Sequence, residues 1–83
     1  MPDDDDLRTR RRLRFGELLR AARVDAGLTQ EALALKAGLD RSFYVEIETA
    51  RHSVNLDRVW DVADALGIPV GTLFDDVVFA PPE

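Results

Sequence analysis

A glycine at position 38 interrupts a helical pattern running from Gln30 to Thr49, and this break constrains the fold more than any other feature of the chain. Before it, Leu33, Ala34 and Ala37 are spaced to line one face of a short helix. Glycine permits the left-handed backbone that ends a helix sharply. Leu39 then tucks an apolar residue into the turn. Asp40 is a good N-cap for a second helix, whose inward residues are Tyr44 and Ile47. Ala34 is small where two helices must cross closely. The expected unit is a pair of short helices meeting at a tight corner.

The flanking segments supply more helices. Phe15, Leu18, Leu19, Ala22 and Ala26 fall within one arc of a helical wheel. Gly27 ends that helix, Leu28 seals the corner, and Thr29 caps the next helix, which begins at Gln30 with Glu31 in its first turn. Asn55 caps a helix over LDRVWDVADAL, with Leu56, Val59, Val62, Ala63 and Leu66 as its buried face. Gly67 stops it, and Pro69 suits the start of a last short helix holding Val70, Leu73 and Phe74. The reading is an all-α, five-helix domain over residues 15–74. Residues 1–14 form an acidic then basic arm or helix start, and 75–83 a C-terminal tail.

Charge separates these parts. The net charge is -5, yet within residues 8–74 ten arginines and one lysine face nine acids, which leaves that region mildly basic. The acidity sits in the ends, in Asp3 to Asp6, Asp75, Asp76 and Glu83. After the first aspartates comes RTRRRLR, either a basic arm for phosphates or a minor groove, or a charged helix start whose arginines pair with those aspartates. There is no cysteine, which excludes disulfide and thiolate-metal scaffolds and suits a reducing cytoplasm. MPDDDD carries no apolar run of a signal peptide, and no stretch approaches the roughly 20 apolar residues of a membrane span. At 83 residues a single core is only modestly stable, so oligomerisation is physically plausible.

The corner at Gly38 has the layout of a helix-turn-helix, whose second helix enters the DNA major groove. FGELLRAARVDAGLTQEALALKAGLDRSFYVEIE and LDRVWDVADALGIPVGTLF resemble the lambda repressor-like (XRE-type) regulators, from about Phe15 to Phe74. Within that family, GLDRSF, EIE and NL are most similar to the small controller proteins of restriction–modification systems. The resemblance implies an ion pair between Arg23 and Glu48 that fixes the reading helix, a phosphate contact at Gln30, and a dimer seam at Trp60, Leu73 and Phe74. Those apolar residues equally suit packing within one chain.

On the reading helix, Arg41, Ser42, Phe43, Val45 and Glu46 are expected to face outward. Arg41 suits guanine O6 and N7, Ser42 a base or phosphate, Phe43 or Val45 a thymine methyl, and Glu46 a cytosine amine. Arg51, His52 and Asn55 follow as phosphate neighbours. Here the chain departs from the family, with Thr49 and Ala50 where relatives usually carry a basic residue and a glycine. A left-handed stop at Ala50 would cost about 1 kcal/mol or more, so the expectation is that the helix runs on or the loop turns differently.

These features predict a cytoplasmic, sequence-specific regulator of transcription that binds double-stranded operator DNA as a homodimer. Its site is expected to be roughly palindromic, with half-sites about 34 Å apart. Two other readings remain: an antitoxin whose tails, including Val77, Val78 and Phe79, bind a protein partner, and an interaction module without DNA affinity. No cofactor or metal is expected. His52 is the only histidine, Asp57, Asp61 and Asp64 read as a solvated stripe, and no nucleophile–base set suggests an enzyme.

Overall fold

The computed structural model describes residues 4–75 and Pro81, so Val77, Val78, Phe79 and the proposed tail contacts lie outside the described residues. Helix α1 spans Asp4–Asp25, α2 Gln30–Ala37, α3 Arg41–Glu48 and α4 Leu56–Leu66. The expected fifth helix is instead a single 3-10 turn, Val70–Leu73, because Pro69 and Gly71 leave too short a segment for α-helical hydrogen bonding. Among the described residues there is no strand, and the fold is all-α. No helix there is long and apolar enough to cross a membrane. The basic segment at residues 8–14 lies in the first half of α1, so of the two readings it is a helix start and not a separate arm.

Local chemistry sets most boundaries. Thr29 Oγ1 accepts the Ala32 N–H at 3.0 Å, Asp40 Oδ2 the N–H groups of Ser42 and Phe43 at 3.1 and 3.4 Å, and Asn55 Oδ1 that of Arg58 at 3.0 Å. Gly38 sits at φ 72°, and beyond it the Leu39 N–H reaches back to Ala34 O at 2.8 Å. Ala50 behaves in the same way, contrary to both expectations for it. Its φ is 62°, its N–H donates to Ile47 O at 3.2 Å, and the Arg51 N–H donates to Glu46 O at 3.0 Å. The two bonds close α3 in the Schellman pattern that a glycine usually supplies, and they offset the steric cost of an alanine there.

The core is built from one face of each helix. Phe15 and Leu19 of α1, Leu33 and Ala34 of α2, and Tyr44 and Ile47 of α3 are buried together with Val59, Val62 and Ala63 of α4. Leu73 closes the core from the 3-10 turn, which packs on both α1 and α4. Three apolar residues placed on these inward arcs lie outside it. Leu18 is half-buried beside it, Ala26 is exposed just past the end of α1, and Leu56 is 66% exposed at the first residue of α4. Arg14 fastens the end of the domain to α1, its guanidinium reaching Asp75 Oδ2 at 2.6 and 2.7 Å. Phe74 packs beside it on Phe15, ring centroids 5.5 Å apart.

Candidate nucleic-acid interface

Helix α3 is anchored from behind by apolar and ionic contacts together. Tyr44 and Ile47 enter the core, and Glu48 is the one buried charged residue among those described. Its carboxylate is gripped by Arg23, with Nη2 to Oε1 at 2.9 Å and Nε to Oε2 at 3.1 Å, while Arg23 Nη1 donates to Leu28 O at 2.8 Å. A guanidinium fork thus ties the end of α3 to α1 and to the corner before α2. Both side chains are nearly enclosed, and the Glu48 carboxylate raises the Arg23 pKa. The Tyr44 hydroxyl lies beside this pair without meeting hydrogen-bond geometry among the described residues, and burial pushes its pKa up.

A second anchor has no signature in the helical pattern. Gly16 faces α3 directly, and a Cβ there would collide with the backbone carbonyl of Glu48. The absence of a side chain lets α1 lie against the last turn of the reading helix.

The outward face of α3 is graded. Arg41 and Ser42 are exposed, whereas Phe43, Val45 and Glu46 are half-buried. Phe43 is less free than expected: it packs against the core, and its ring stacks with that of His52 at 28° and a centroid distance of 6.4 Å. His52 joins the same cluster through Nε2, 2.8 Å from Glu46 Oε2. Its other ring nitrogen, Nδ1, faces Ser53 O at 3.2 Å. The carbonyl and the carboxylate both favour the imidazolium and raise its pKa.

The remaining candidates divide by their partners. Gln30 is half-buried, and its amide donates to Glu48 Oε2 at 3.4 Å, a long bond that draws it toward the Arg23–Glu48 pair. Asn55 uses its side-chain oxygen as the α4 cap and keeps its amide nitrogen as a donor. Arg51 is exposed in the same loop. Between this loop and α1 lies a groove of about 480 Å³ that brings Arg8, Arg11 and Arg12 alongside His52 and Ser53. Arg12 Nε is buried without a hydrogen-bond partner among the described residues. The basic first half of α1 is therefore placed beside the loop that follows the reading helix, a proximity that only the tertiary fold reveals.

The seam residues do not act together. Leu73 is fully enclosed in its own core and offers no surface to a second protomer. Trp60 and Phe74 are 46% and 42% exposed, and Leu56, one turn before Trp60 on α4, joins them as surface apolar area. Asp61 pairs with Arg58 at 2.7 Å, while Asp57 and Asp64 are exposed. Among the described residues no three side chains gather as a metal site.

Comparisons with known proteins agree with this geometry. The helix-turn-helix family HTH_3 matches residues 19–73. The control protein C.MunI from Mycoplasma sp is 34% identical over 67 residues, covering 80% of this chain and 90% of that protein. The control protein C.BamHI from Bacillus amyloliquefaciens is 34% identical over 65 residues, covering 77% and 80% respectively. The crystal structure of the restriction–modification controller protein C.AhdI from Aeromonas hydrophila superposes with a TM-score of 0.73 at 40% identity, covering 75% of this chain and 94% of that one. With its capped α2–α3 corner and a family match spanning most of its length, the chain belongs to the lambda repressor-like (XRE-type) helix-turn-helix DNA-binding regulators.

Proposed function

We propose that the protein is a controller of a restriction–modification system, a homodimeric regulator that reads a roughly palindromic operator through α3. The observation that carries this reading is the presentation of Arg41 and Ser42 on a helix locked from behind by Tyr44, Ile47 and the Arg23–Glu48 pair. A helix held so firmly can enter a major groove without reorganising. Similarity to control proteins over most of their length supports the narrower assignment. Arg41 is assigned to a base edge, Ser42 to a base or phosphate, and Val45 to a thymine methyl. Arg51, Asn55, Gln30 and the groove-lining Arg8, Arg11 and Arg12 of α1 are assigned to the DNA backbone. Trp60 and Phe74, with Leu56 beside Trp60 on α4, are among the exposed apolar residues and are assigned to the dimer seam.

Selection of sites from random duplex DNA, followed by titration of the selected site with salt, tests this. The expected result is a palindromic site and a linear fall of log K with log salt, each neutralised phosphate adding about 0.9 to the slope. Recovery of no preferred sequence, or salt-independent binding, rejects it.

A further inference from the structure

We propose that His52 is a positioning residue for DNA reading: as an imidazolium it holds one oxygen of the Glu46 carboxylate, cancels that charge beside the duplex, and leaves the other oxygen for a base amine. This inference deepens the function proposed above and rests on it. Both ring nitrogens face acceptors, Nε2 toward Glu46 Oε2 at 2.8 Å and Nδ1 toward Ser53 O at 3.2 Å. A neutral imidazole can donate from only one nitrogen, so only the charged form satisfies both contacts. The ring is further set by its stacking on Phe43. One histidine thus touches two side chains of the reading helix, Phe43 and Glu46, from a position just outside α3.

The charges around the ring are unequal in effect. Glu46 on α3 favours the imidazolium, while Arg12 on α1 opposes it, and Arg8 and Arg11 share the groove that His52 lines. The carbonyl of Ser53 and the Glu46 carboxylate outweigh Arg12, and the pKa is raised above that of a free imidazole. The sign follows directly. Below its pKa, His52 neutralises Glu46. As pH rises through that raised value the imidazolium is lost, and an unneutralised carboxylate faces phosphate. DNA affinity therefore falls as pH rises through that raised value.

The experiment measures the affinity of the full chain for its selected duplex from pH 6 to 8.5 at fixed salt. The proteins compared are wild type, His52→Gln, Glu46→Gln and the double variant. Wild type is expected to weaken by about three- to fivefold across the range, with His52→Gln flat and Glu46→Gln weakening at lower pH than wild type, because its imidazolium lacks the carboxylate that holds the proton. The α-amino group also titrates in this range, but His52→Gln retains it, so a flat profile isolates the histidine. A double-mutant cycle should show coupling between positions 46 and 52 at pH 6 that disappears at pH 8.5. Both side chains are about half exposed, and unchanged melting temperatures will show that the variants fold. Salt-sensitive duplex binding with identical pH profiles for wild type and His52→Gln overturns the positioning role alone. Absence of duplex binding by wild type at every pH overturns the DNA-reading function beneath it.

Discussion

Replacing Ala50 by glycine should make the protein more stable. Ala50 holds φ at 62°, where an L-residue brings its Cβ against the following carbonyl at a cost of about 1–2 kcal/mol. Glycine removes that clash, but it also gives the unfolded chain more freedom, worth about 0.4–1 kcal/mol in the opposite direction. The bonds that close α3, from Ala50 and Arg51 N–H groups to Ile47 and Glu46, involve backbone alone and survive the change. The net gain should be about 0.5–1 kcal/mol, which for a domain of this size raises the melting temperature by roughly 2–8 °C. Urea unfolding should show the same gain as a higher midpoint with unchanged slope. A branched residue tests the other direction, since Ala50→Val adds crowding at a left-handed position and should lower the midpoint. An Ala50→Gly protein that melts at or below the wild-type temperature would refute the strain argument.

Three further substitutions probe the anchoring and the reading of DNA. Arg23→Ala leaves the Glu48 carboxylate enclosed without its partner and should cost about 3 kcal/mol, whereas exposed Arg20→Ala should be nearly neutral; equal melting temperatures for the two would remove the ion pair from the stability account. Gly16→Ala should destabilise by about 1–3 kcal/mol by driving a methyl into the Glu48 carbonyl, measured by denaturant unfolding, and a neutral result would show that α1 and α3 separate easily. Arg41→Ala should weaken operator binding by roughly 5- to 100-fold and broaden the selected sequence at one position; an unchanged selection profile would dismiss Arg41 as a base contact.

The parts of the fold that could be read from sequence are those written in neighbouring residues. Thr29, Asp40 and Asn55 cap helices because their side chains bond N–H groups two or three positions ahead, and Gly38 turns the corner through its own backbone. Tyr44 and Ile47 follow from helical periodicity. The features that escaped have no signal in the identity of the residue itself. Ala50 carries no local signal for a left-handed turn, and its conformation depends on bonds formed only once α3 has ended. Leu56 sits on the correct stripe of α4 but outside the core, and Leu73 is fully buried where the sequence left a seam and packing within one chain both open. In the candidate site, Arg23 and Glu48 entered through family resemblance, since twenty-five positions separate them. The cluster of Phe43, Glu46 and His52 needed the actual path of the loop.

The close approach of Gly16 to the end of α3 bears on how the partners of a complex would share distortion. With no side chain between them, α1 and the reading helix meet backbone to backbone, which limits how far either can shift without the other. A dimer of such pieces has little freedom to alter the tilt of each helix to suit a given site. Any mismatch between helix spacing and groove spacing must then be absorbed by bending or twisting the duplex. Central bases that no side chain touches would influence affinity through the flexibility of the steps they form.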